Sequence, residues 1–134
     1  MANILFCSVG RRATLLKDFR LSMKGNGEII ATDLSPVAPA LFFADKTYLV
    51  PRITDPGYFD KIKDICKSNE INAITTLIDP EIEILAARRE ELLSMGVLPL
   101  CPAAWTAKLC FDKYEMFKYL QSKGIRTVLT YNNL

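Results

Sequence analysis

Two arginines, Arg11 and Arg12, follow directly on Gly10 in the run "CSVGRRATLL", which leaves the first apolar segment of the chain. A glycine with cations behind it, where strand passes into helix, has three readings: a phosphate-binding loop, a carboxylate-binding corner, or a tight turn with solvated cations. Cations in the first turn of a helix oppose the helix dipole, at a cost of about 0.3–1 kcal/mol. A local rule broken at such a corner points to function. A guanidinium there can grip a carboxylate or phosphate through two hydrogen bonds.

Two acidic segments complete the set. Asp33 ends the second apolar run, about twenty residues past Gly10, where a ribose-binding acid of a dinucleotide site would stand. The glycine fingerprint of such a site fails, however. With Gly10 as its first glycine, the second falls on Arg12 and the third on Leu15. A side chain then stands where backbone must approach the pyrophosphate, and another where helix must pack close to strand. There is no G-x-x-x-x-G-K-[ST] either. The plain alternative for Asp33 is a turn residue beside Ser35-Pro36. Asp79-Pro80-Glu81 reads as N-cap, proline at N1 and first-turn acid, which accounts for both carboxylates structurally.

The elements that must position these residues follow from the alternation of apolar runs and helical patterns. Asn3 to Ser8 is a short continuous apolar run, as in a strand buried on both faces. Arg12 to Met23 repeats apolar residues at helical spacing and is expected to end on Gly25-Asn26-Gly27 in a left-handed C-cap. Strands are expected at Glu28–Thr32, Lys46–Val50, Ala73–Leu77 and Val97–Leu100. Helices are expected from Asp55-Pro56-Gly57 to Ser68, from Asp79 to Leu93, and from Asp112 to Lys123. Pro39–Ala44 and Pro102–Lys108 read as short helices, and Trp105 and Phe111 as core.

This βαβ alternation predicts a Rossmann-like, three-layer, doubly wound sheet of about five mainly parallel strands in the order 3-2-1-4-5. Ligands of such sheets bind outside the carboxyl ends of the strands. Four segments should project there: Ser8–Arg12, Asp33–Ser35, Pro51-Arg52 and Ile78–Glu81. The substrate-binding set read from placement is therefore Gly10, Arg11, Arg12, Asp33, Asp79 and Glu81. At least one guanidinium of Arg11 and Arg12 is expected in the crevice beside Asp33 and Asp79. No residue is assigned a catalytic or metal-binding role.

Composition narrows the classes. The chain has 134 residues, enough for one sizeable core, and 17 basic against 15 acidic side chains give a formal charge of +2. Such a balance makes no case for nucleic acid or an anionic membrane. No apolar run approaches the ~20 residues of a membrane span, and a cytoplasmic protein is expected. The four cysteines form no C-x-x-C pair and the chain has no histidine. This argues for reduced thiols and against a zinc site or histidine-dependent nucleophilic catalysis.

The segments "ILFCSVGRRATLLKDF", "IIATDLSPVAPALFFADKTYLVP", "ITTLIDPEIEILA" and "FDKYEMFKYLQSKGI" together resemble the N-terminal domain that precedes an ATP-grasp domain. The group most similar is the carbamoyl-phosphate-synthase-like ligases, including the pyrrolysine-biosynthesis type. The resemblance implies a pre-ATP-grasp domain over residues 1–127. Residues 128–134 would be the start of the ATP-grasp domain, or a tail. It implies an intact enzyme that uses ATP and Mg²⁺ to turn a small-molecule carboxylate into an acyl phosphate for attack by an amine. This domain would form one wall of the substrate site, and Lys113 of the "DK" pair would reach the nucleotide phosphates; read by itself, Lys113 is a first-turn lysine on a solvated face. The family usually continues after "GI" with prolines, whereas Arg126-Thr127-Val128 stands here. The ATP-grasp domain is expected in cis or on a separate chain. On this reading the chain alone binds no cofactor and does not catalyse, and a homodimer is open. The alternative is a stand-alone nucleotide- or dinucleotide-binding module.

Overall fold

The computed structural model describes residues 2–132. Its centre is β1 (Ile4–Cys7), whose Leu5, Phe6 and Cys7 have no exposed surface. β2 (Ile29–Asp33) and β4 (Ala73–Thr76) pair with it in parallel on either side. β3 (Lys46–Leu49) and β5 (Leu98–Pro99) close the edges. The sheet order is β3-β2-β1-β4-β5, with every pairing parallel, as the alternation predicts. The order reverses at β1, so the crevice outside the carboxyl end of β1 is the switch point where such sheets bind ligands.

Two apolar layers fill the space on the two faces. One contains Phe6, Val9, Leu16, Ala31 and Leu41, under α1 (Ala13–Met23) and a 3-10 turn at Pro39–Phe43. Phe6 meets Phe19 edge-on at 4.8 Å between centroids. The other contains Leu5, Ile30, Ile62, Ile74, Leu85 and Leu92, under α2 (Tyr58–Ser68), α3 (Asp79–Ala87) and α4 (Arg89–Ser94). α5 (Ala104–Phe111) and α6 (Lys113–Ser122) complete the chain. Among the described residues no helix is long and apolar enough to cross a membrane.

Several expectations shift. α1 ends one residue before the expected Gly25, with Lys24 as a left-handed C-cap (φ 50°) and Gly25 left-handed after it (φ 79°). Gly27 is needed for a different reason: a Cβ there would come within 2.1 Å of the Ala2 carbonyl oxygen. The helix expected from Asp79 to Leu93 is broken at Arg88 into α3 and α4. α3 begins at Asp79 itself, with Ile78 at the N-cap and no side-chain cap bond, so Asp79 is not the cap. Leu93 is exposed. Trp105 and Phe111 are not core: they are 63% and 50% exposed, because little packs over the outer side of α5. α6 is capped as its sequence suggests, Asp112 accepting the Tyr114 and Glu115 N–H groups, yet it buries no residue fully.

Candidate functional site

The corner quoted at the outset is a fixed loop. Strand pairing runs two residues past β1, through Val9 N–H to the Thr32 carbonyl, and one past β4, through Leu77 N–H to the Cys7 carbonyl. Ser8 then turns the chain with φ 52° and Gly10 with φ 50°, the left-handed region that glycine enters without penalty. Both polar groups of Gly10 are taken. Its N–H donates to Asp33 Oδ2 at 2.7 Å and its carbonyl accepts from Ala40 N–H at 3.0 Å. Arg12 N–H closes the turn on the Val9 carbonyl.

Asp33 is spent on this work. Its other oxygen accepts the Ser35 N–H at 2.9 Å, so the carboxylate clamps the β1–α1 loop to the β2 exit. Arg11 and Arg12 are exposed, and neither forms an ion pair among the described residues. The Arg12 guanidinium folds back over Gly10, with Nη1 3.5 Å from where a Cβ would sit. The expected guanidinium bridge between Asp33 and Asp79 is not formed. The Asp33 oxygens accept backbone N–H groups instead, and Asp79 lines a different cavity.

Asp79 and Lys113 line one small cavity of about 120 Å³, together with Ile82, Ala107 and Phe111. Lys113 Nζ donates to the Cys110 carbonyl at 2.7 Å and is exposed. The fold thus brings the α3 start and the "DK" lysine to one place, and Gly10, Arg11, Arg12 and Asp33 to another, at the same end of the sheet.

Glu81, placed by sequence among the substrate-binding residues, has no exposed surface. Thr76 Oγ1 donates to its Oε2 at 2.5 Å, and the Tyr58 hydroxyl donates to its Oε1. Burial pushes its carboxyl up to about 7 from an ordinary 4.5. Hydrogen bonds from Ser8 and Cys7 act against that rise, and the charge of Asp33 adds to it. Glu81 is therefore buried beneath the loop, bonded to Tyr58 and Thr76, rather than open to the crevice. Sequence reasoning missed this because a first-turn acid after a proline explains itself. The signal was Thr76, a hydroxyl at the inward end of a strand five residues upstream.

A second omission is the pocket between the β1 and β3 exits. It holds about 220 Å³, with Leu34, Val50, Ile53 and Ile78 as apolar walls, Tyr58 as floor, and Ser8, Thr54 and Arg52 as polar groups. Arg52 was placed at this edge by the strand pattern but not counted as a site residue.

Among the described residues no group of three or more His, Cys, Asp or Glu side chains could hold a metal ion. The residues present do not fit a Mg²⁺ site. A nucleotide phosphate would find Lys113 as an exposed cation, and Gly10 offers no free N–H to one.

A family model for the PylC-like N-terminal domain matches residues 4–100. The chain belongs to the PylC-like N-terminal domain family. No curated protein matches it. This PylC-like domain shares its fold with parts of larger solved structures. An L-amino acid ligase from Bacillus licheniformis matches with a TM-score of 0.73 at 16% identity, over 95% of this chain and 30% of that one. N5-carboxyaminoimidazole ribonucleotide synthetase from Thermotoga maritima matches at 0.63 and 22% identity, over 93% of this chain and 31% of that one. Pyruvate carboxylase from Rhizobium etli matches at 0.64 and 19% identity, over 98% of this chain and 13% of that one. The PylC-like chain thus spans a third or less of the length of these neighbours.

Proposed function

We propose that this PylC-like domain is the substrate wall of an ATP-dependent carboxylate–amine ligase whose ATP-grasp domain lies outside the residues given. The observation that carries the reading is the arginine corner. Two guanidinium groups stand at the switch point without acidic partners among the described residues, on a loop whose glycine is clamped at both its N–H and its carbonyl. Such cations are set to hold an anionic group of a small substrate. Lys113, beside Asp79, is the residue that would touch the nucleotide phosphates; ATP and Mg²⁺ would otherwise be held by the catalytic domain. The chemistry so served is transfer of the γ-phosphoryl group to a carboxylate oxygen, releasing ADP, then attack by an amine with loss of phosphate.

The dinucleotide alternative loses support from the same geometry. The Gly10 N–H that a pyrophosphate would need, and the Asp33 oxygens that a ribose would need, are already bonded to each other and to Ser35. The names of two structural neighbours, a ligase and a synthetase, are in keeping with the ligase reading.

The test is steady-state kinetics of the intact ligase carrying Arg11→Ala or Arg12→Ala. The KM for the carboxylate substrate should rise much more than the KM for ATP. The loss should be of order 1.5–3 kcal/mol, the worth of a hydrogen bond to a charged group. Unchanged substrate KM and kcat in both variants would leave only a solvated turn.

A further inference from the structure

The pocket between the β1 and β3 exits differs from the arginine corner in kind. Its walls are Leu34, Val50, Ile53 and Ile78, and Tyr58 closes its floor with 1% exposure. At about 220 Å³ it lies below the range of about 300–1,000 Å³ common for drug-sized ligands, which favours a compact ligand body. No acidic side chain lines it, and the buried Glu81 carboxyl is screened by the Tyr58 hydroxyl that donates to it. A cationic ligand therefore has no counter-charge there.

One charged group remains at the rim. Arg52 is exposed and makes no ion pair or side-chain hydrogen bond among the described residues. Its backbone is nonetheless fixed. Asp55 N–H closes a turn on the Arg52 carbonyl at 2.8 Å, and Asp55 Oδ1 then accepts the Gly57 N–H at the start of α2. On the β2 side, Val50 N–H is held by the Asp33 carbonyl at 3.1 Å. Thr54 adds a hydroxyl group to the same mouth, and Ser8, whose hydroxyl bonds the Glu81 carboxyl, lines it too. An apolar cleft with a few convergent polar groups is the usual form of a small-molecule site, and a single unpaired guanidinium at its mouth selects an anion.

We propose that this pocket takes the apolar body of a small aliphatic carboxylate, with Arg52 holding that carboxylate and the Arg11–Arg12 corner left for a separate anionic group of the same molecule. The inference rests on the ligase reading above for the kind of molecule delivered, and narrows it to acids with a compact hydrocarbon chain. Arg52 then serves as a specificity residue: it draws the acid to the β3 side of the switch point, into a pocket that neither Arg11 nor Arg12 lines.

The test uses the 134-residue chain and three probes: 4-methylpentanoate, 4-methylpentan-1-ol and 4-methylpentylamine. Binding is followed by ¹H–¹³C methyl spectra of the Ile, Leu and Val residues. The acid should give saturable shifts at Ile53, Ile78, Val50 and Leu34, with weaker binding of the alcohol and weakest of the amine. Arg52→Gln should weaken the acid about tenfold or more and leave the alcohol unchanged. Arg52→Lys should fall between, since it keeps the charge but loses the two-pronged grip. Arg52 is exposed, so these variants are expected to keep the wild-type spectrum away from the pocket.

Absence of saturable pocket shifts at tens of millimolar acid overturns the proposal. So does equal binding of acid and alcohol, or no effect of Arg52→Gln. Shifts confined to Val9 and the start of α1 would overturn it too, while leaving the arginine corner of the ligase reading intact. Conversely, pocket binding with normal substrate KM in the Arg11→Ala and Arg12→Ala ligases would remove that reading and keep this site.

Discussion

Asp33 Oδ2 accepts the Gly10 N–H at 2.7 Å, tying the exit of β2 to the turn that leaves β1. With the second oxygen on Ser35 N–H at 2.9 Å, one carboxylate fixes both loops that flank the switch point. Asp33→Ala should lower the free energy of unfolding by about 1.5–3 kcal/mol, as for loss of hydrogen bonds to a charged group. Asp33→Asn keeps one acceptor oxygen and should lose roughly half as much. Urea unfolding of the three proteins checks this; a loss within experimental error in Asp33→Ala would show that the loop does not need the clamp.

Glu81 makes stability depend on pH in an unusual sense. Burial holds its folded carboxyl at about 7, above the ordinary 4.5, so the native state keeps a proton that the unfolded chain releases. Stability from this group is fully present below pH 4.5. It falls as pH rises towards 7 and is gone above that. At about 1.4 kcal/mol for each tenfold change in proton affinity, the loss is bounded at about 3 kcal/mol. Denaturant unfolding at pH 5 and pH 8 should therefore show Glu81→Gln gaining on the wild type at the higher pH. A difference between the two proteins that is the same at both values would refute the assignment.

The four cysteines are free and differ in setting: Cys7 and Cys66 are buried, whereas Cys101 and Cys110 are partly exposed. Burial pushes the Cys66 thiol up to about 12. For Cys7, burial first and the Glu81 charge second raise it well above its ordinary value. Burial also raises the Cys101 thiol, with Arg89 acting against it; since the thiolate is the reactive form, iodoacetamide on the native protein at pH 8 should label Cys110 first, Cys101 more slowly, and spare the other two. Mass spectrometry of the digested product reads the result, and the two protected thiols should react once denaturant is added.

The sheet order was legible because strand and helix periods alternate cleanly, and because the uninterrupted apolar run at β1 has to lie in the middle of the sheet. The placement of ligand-edge segments followed from the same rule, which put Arg11, Arg12 and Asp33 at the right end of the sheet. What sequence could not show was which polar groups satisfy each other. Asp33 looked like a ligand acid and is bonded to backbone; Glu81 looked like a helix-start acid and is buried under Tyr58. The Asp33–Gly10 and Glu81–Tyr58 bonds each join residues 23 positions apart, which no local pattern encodes. Trp105 failed for another reason: a large aromatic predicts burial only if something covers it, and here it stays 63% exposed.

The last helix carries a consequence for how the molecule breathes. α6 buries no residue fully. What holds it is the Asp112 cap, the Lys118–Glu115 pair one turn along, and contacts with α5. The cap is worth about 1 kcal/mol, an exposed ion pair adds little, and an isolated ten-residue helix is marginal in water. Its amides should therefore exchange with deuterium through local fraying, many times faster than those of β1 and β4, which wait for the whole domain to open. The chain would then behave as a rigid sheet with a C-terminal helix that melts and re-forms on its own clock.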